Sequence, residues 1–194
     1  MGNYAIRRIA LDGILAGVFL VLCLVRIRFG TFLEIGFGSI VLILAAVALS
    51  PVDALFIGLI GEFISQVFFS GYGLTPTTPL WVLPVALRGL LIGIVALIYK
   101  KKGDNLMNHK VVFYITCMAV ALFISGLDTG ILYLDGVIMG YPVAYTWAQT
   151  GIRFLSSQAT AVVAATVVLP LYKAVVFLLP KDESDQRREA TKKE

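Results

Sequence analysis

The chain has 194 residues, 59% of them hydrophobic and only 14% charged, a balance that excludes an ordinary soluble domain and, with long apolar runs, marks an integral membrane protein. Its net charge of +4 collects near the N-terminus, at Lys100 to Lys102 and after Lys181, so it reads as membrane topology and nucleic acid is not an expected partner. The two cysteines, Cys23 and Cys117, both fall inside apolar runs, which suits buried thiols better than a disulfide framework or a metal site.

Six apolar segments follow in order, predicting an all-α membrane protein: a six-transmembrane-helix bundle over residues 1–180, with extracellular loops capping a ligand cavity. A charged cytoplasmic tail occupies 181–194. Helix 1 runs from about Ile6 to Val25, without a cleavage site after it, and places Ala10, Gly13, Ala16 and Gly17 on one face. Small residues so spaced let another helix approach closely, either within this bundle or from a partner. Residues 28–36 read as a partly apolar connection. Helix 2, about Phe37 to Leu49, spans roughly 20 Å and is short for a crossing, so the connection before it is expected to dip into the bundle and line a cavity.

Helix 3 opens with Ser50 as a cap, Pro51 in the first helical position and Asp53 near exposed amides, and runs to about Phe69. Glu62 and Gln66, one turn apart within it, must face protein or water and are candidate ligand-binding residues. The loop Gly71 to Pro79 adds Tyr72 and Thr75 to that set. Helix 4, about Leu80 to Lys100, carries Trp81 and Arg88 on one face. After the cationic Lys100 to Lys110 loop, helix 5, about Val111 to Leu134, contributes Asp128. Helix 6, about Tyr145 to Leu179, presents Trp147 and, at helical spacing, Gln149, Arg153 and Ser157; Pro170 is expected to kink or break it.

Lysine and arginine weigh on the side that holds both termini and the 100–110 loop, which places that side in the cytoplasm. Counted at 1.5 Å per residue, Glu62, Arg88, Asp128 and Arg153 then share a level roughly 9 to 12 Å below the outer surface. Two readings fit: internal ion pairs that orient the bundle, or a polar cavity open outward and walled by Trp81, Trp147, Tyr145 and Tyr133. No nucleophile elbow, zinc motif, phosphate loop or channel filter occurs in the sequence, so catalysis, resident cofactors and bound metals are not expected. Binding of a small polar molecule is what remains.

The run A-L-S-P-V-D-A-L-F-I-G-L-I-G-E-F-I-S-Q, followed by L-P-V-A-L-R-G-L-L-I-G in helix 4, resembles the substrate-binding S components of energy-coupling factor (ECF) vitamin transporters across about residues 5 to 180. Ser50-Pro51 begins the family's first pattern, and Ala54, Gly58 and Gly61 match its small positions. Glu62 stands where the family usually has Asp, and Gly13 and Gly17 stand where its helix 1 typically shows A-x-x-x-A. The resemblance implies a bacterial cell-membrane protein that captures a water-soluble vitamin outside and topples against a transmembrane T component driven by two ATP-binding-cassette ATPases. The small face of helix 1 would then be the T-component contact. The loop Y-G-L-T-P-T-T-P is similar to that of pantothenate-type S components, and Arg88 or Arg153 would serve a carboxylate. Hydroxymethylpyrimidine and folate remain alternatives, as do a self-sufficient secondary transporter and a structural subunit without a ligand.

Overall fold

The shortest α-helix forms the hub. The computed structural model describes residues 2–29, 33–69, 76–140 and 142–175. Within them α2 (Gly38–Ala48) has 11 residues, about 16 Å of helix against a hydrocarbon layer of about 30 Å. Residues Gly38 to Ala46 are all buried, and α1, α3, α4 and α6 pack around them. A helix that is apolar on every side belongs inside a bundle, and α2 has no lipid-facing surface to supply.

Helix α1 (Gly2–Leu24) lies across α2 and α3. Its anchor is Phe19, only 1% exposed, whose ring fills the space that a Cβ on Gly38 or Gly61 would need. Next comes the departure from an all-helical chain: β1 (Arg26–Phe29) and β2 (Leu33–Gly36) pair antiparallel, with Arg28 opposite Glu34 and Ile27 opposite Ile35. The connection expected to be a loop dipping into the bundle thus contains a strand pair, and β2 rests against α6. Strict alternation in R-I-R-F is what a strand pair requires.

Helix α3 (Pro51–Phe69) starts as its sequence predicts, the Asp53 amide donating to Ser50 Oγ at 3.2 Å. It packs along α4 (Thr78–Lys101). A Cβ on Gly58 would stand 2.9 Å from Ala86 Cα, and one on Gly93 would stand 2.6 Å from Pro51 Cα. Backbones therefore touch along this seam, and the glycines of both motifs are there to allow it.

Helices α5 (Lys110–Met139) and α6 (Val143–Val175) are the longest, with 30 and 33 residues. They pack side by side, joined by Ser157 Oγ donating to the Ala121 carbonyl at 3.4 Å and by a Tyr114–Thr166 hydroxyl contact at 2.9 Å. Of the kink, tilt or break expected at Pro170, a break does not occur: α6 is continuous through it to Val175. Four helices, α3 to α6, are long and apolar enough to cross a membrane, and α1 holds a shorter apolar stretch, Ile9–Leu24. The tail at 181–194, together with Tyr72 and Thr75, lies outside the described residues.

Candidate ligand-binding site

Seven residues apart on α4, Trp81 and Arg88 fall on one helical face, as 3.6 residues per turn dictates. Arg88 Nη1 donates to Ser39 Oγ at 2.6 Å, which ties α4 to the first turn of α2. Its Nε is buried and meets no acceptor. Trp81 is met from α6, where the Arg153 guanidinium carbon sits 4.6 Å from its ring centre, a cation–π contact. On α3, Glu62 Oε1 accepts from Gln66 Nε2 at 2.7 Å, the one-turn pair expected from the sequence.

Electrostatics link these groups into one set. Arg88 feels the carboxylates of Asp128 and Glu62, and Asp128 feels both Arg88 and Arg153. Yet among the described residues no carboxylate stands within ion-pair distance of either guanidinium. Four helices thus bring two acids and two bases into a common field without closing them on each other. The arrangement leaves donor capacity on the cations, and a buried donor without an acceptor costs about 1–3 kcal/mol until something accepts from it.

The other sequence candidates fall in several places. Gln149 and Ser157 are half-buried on α6, Ser157 being occupied with the Ala121 carbonyl. Trp147 is 70% exposed and Tyr133 61%; neither ring makes a contact with the Arg88 group, and both stand on the bundle's exterior as interfacial aromatics do. On α1, Ala10, Gly13 and Gly17 are exposed and Ala16 is half-buried. Among the described residues a Cβ on Gly13 or Gly17 would meet nothing within 4 Å, so this small-residue face is open to them.

Sequence reasoning missed four polar residues. Ser39 is a lone hydroxyl in an otherwise apolar helix and gives no periodic signal. Thr77, 1% exposed, donates to Asp135 Oδ1 at 2.6 Å and ties the start of α4 to α5. Asp135 lies seven residues after Asp128 and so on the same face; ending helix 5 at Leu134 hid it. Gln158, beside Ser157, buries an Nε2 without an acceptor.

Three comparisons bear on this geometry. A family model described as the S component of an ECF-type riboflavin transporter matches residues 3–176. A solved S component of a bacterial ECF transporter superposes with a TM-score of 0.65 at 17% identity, covering 93% of this chain and 100% of that one. The S component for biotin from an ECF-type ABC transporter gives 0.61 at 14% identity, covering 89% and 94%. At such identities these two structures establish the fold. No curated protein sequence matches.

Proposed function

This chain belongs to the family of S components of ECF-type riboflavin transporters, and from that premise we propose that it captures riboflavin, or a close flavin, at the Arg88 group. The observation that carries the reading is the state of the cations: two guanidiniums held away from carboxylates, one with a buried Nε that has no acceptor. A flavin ring system is flat and edged with carbonyl oxygens and ring nitrogens that accept hydrogen bonds. Trp81 supplies an aromatic surface for it, and Arg88, Arg153, Gln149 and Gln66 supply donors, with Glu62 and Asp128 holding the cations in place or taking the ligand's hydroxyls. Tyr72, Thr75 and Ser157 complete the proposed set at its margins, and Trp147, on the exterior, is left out of it.

Pantothenate is the second reading. It is favoured by the same guanidiniums, because a carboxylate would satisfy Arg88 or Arg153 with two parallel hydrogen bonds. Mass spectrometry of ligand carried through purification, followed by calorimetry with riboflavin and with pantothenate, separates the two. Under either reading Arg88→Gln weakens binding by about 1.5–3 kcal/mol, the worth of a charge-assisted hydrogen bond, with the fold intact. Unchanged affinity in that variant would remove Arg88 from the site.

The proposal extends to the assembly. Both termini lie in the cytoplasm and the α3–α4 connection outside, the open face Ala10, Gly13, Ala16 and Gly17 meets a transmembrane T component, and two ATP-binding-cassette ATPases drive toppling and release. Liposomes holding this chain alone should bind ligand without accumulating it. Accumulation in them would point to a secondary transporter instead.

A further inference from the structure

The connection between α4 and α5 is built as a rigid turn. The Lys102 amide donates to the Ile98 and Tyr99 carbonyls, Gly103 adopts φ +82°, and the Asp104 amide returns to Tyr99 at 3.1 Å. A short 3-10 helix (Leu106–Asn108) follows, with Asn105 Oδ1 accepting from the Met107 amide at 3.0 Å. Asn105 Nδ2 then donates to Tyr172 Oη at 2.8 Å, which fastens the turn to the far end of α6.

Asp104 is the only acid between Lys100 and Lys110, and its carboxylate is fully engaged inside the turn. It accepts from the Asn105 amide at 2.6 Å, from Asn108 Nδ2 at 3.0 Å and from His109 Nε2 at 2.6 Å. Lys101, Lys102, Lys110 and Lys173 are left out of this arrangement. Lys101, Lys102, Lys110 and Lys173 are all exposed, and among the described residues none has a carboxylate within ion-pair distance. Directly beside them the surface turns apolar: Ile98 is 46% exposed and Val111 71%. Cationic heads on flexible stems thus border an oily flank, the boundary at which lysines snorkel toward lipid headgroups.

We propose that this corner is a binding site for an anionic phospholipid, its phosphate held by Lys101, Lys102, Lys110 and Lys173 and its acyl chains lying against Ile98 and Val111. Charge alone would suit any anion. The apolar flank at the end of membrane-length helices selects an anion that carries hydrocarbon. The fixed turn makes the lysines a standing cluster, because Asn105 and Tyr172 hold α4, α5 and α6 together at this corner.

The test uses the full chain in nanodiscs of phosphatidylcholine containing phosphatidylglycerol, with the lipids retained on the released protein counted by native mass spectrometry. The unmodified protein is expected to retain phosphatidylglycerol about tenfold above its bulk share. Replacing the four lysines by Gln together should abolish that preference, and replacing them by Arg should keep it, which shows that the quadruple change is tolerated. Removing the same kind of charge at Lys181, Lys192 and Lys193 should leave it unaltered. Equal retention of both lipids by the unmodified protein would overturn the proposal and leave an acidic protein surface as the occupant. So would loss of the preference in the tail variant, or displacement of phosphatidylglycerol by millimolar inorganic phosphate, the sign of a site for free anions.

Discussion

Along the α3–α4 seam a Cβ on Gly58 would lie 2.9 Å from the Ala86 backbone, whereas along α1 a Cβ on Gly13 or Gly17 would meet no described residue within 4 Å. The two regions use the same device, small residues three or four apart, on helices of similar apolarity. In the seam the close neighbour is another helix of this chain; on α1 no described residue of the chain fills that place. The contrast teaches that a small-residue face announces close approach and says nothing of who approaches. Only the packing of the rest of the chain, with Phe19 turned inward on the opposite side of α1, decides that the Gly13 face is left free.

The sharpest way to break this contrast is to fill the seam. Gly58→Leu has no room to settle, since the obstacle is backbone, and should cost about 3 kcal/mol, the upper end of overpacking; thermal unfolding in detergent reads it, and a loss under about 1 kcal/mol would mean the seam is looser than described. Phe19→Ala attacks the inward side of α1. About 2 kcal/mol is expected, below the 3–5 typical of a soluble core, because the ring removed from the bundle would otherwise sit in equally apolar lipid.

Gly17→Leu tests the open side. Stability should stay within about 0.5 kcal/mol and ligand binding by the isolated protein should be normal, while uptake by cells or proteoliposomes with the T component and ATPases is lost. Full uptake would show that the open face is not the coupling surface. The smallest effect belongs to the exposed turn. Hydrogen bonds from His109, then Asn108, then the Asn105 amide hold the Asp104 carboxyl at about 2, below its ordinary 3.8. A depressed carboxylate stabilises the fold above 3.8 and ceases to do so as pH falls through about 2. Melting temperatures of the unmodified protein and of Asp104→Asn should therefore differ at neutral pH and converge at the acid end; a gap that is constant with pH would locate the effect in shape and not in charge.

Much of the fold was legible because bilayer-length apolar runs leave few alternatives. Six helices, the Ser50 cap and the Glu62–Gln66 pair all follow from spacing alone. The hairpin at 26–36 did not, since four-residue strands are shorter than the window in which alternation stands out from chance. At the site, Arg88 and Trp81 were visible as polar and aromatic residues on one face of an apolar helix. Their partners were harder to see: Ser39 is named only by the way α2 is placed against α4, and Arg153 reaches Trp81 across the bundle, a contact that no local pattern encodes. Trp147 shows the reverse error, an aromatic that looked like a cavity wall and stands on the exterior.

The brevity of α2 carries a consequence for how the protein is made. A segment of 11 residues is too small to be recognised by the insertion machinery as a span in its own right. Two residues, Leu49 and Ser50, separate it from α3, so it must enter the bilayer coupled to that longer neighbour and wait for α4 and α6 to enclose it. Synthesis of the C-terminal third of the chain is thus a condition for α2 to be fully enclosed, and a chain ending after α4 would leave the α6 side of its central helix uncovered.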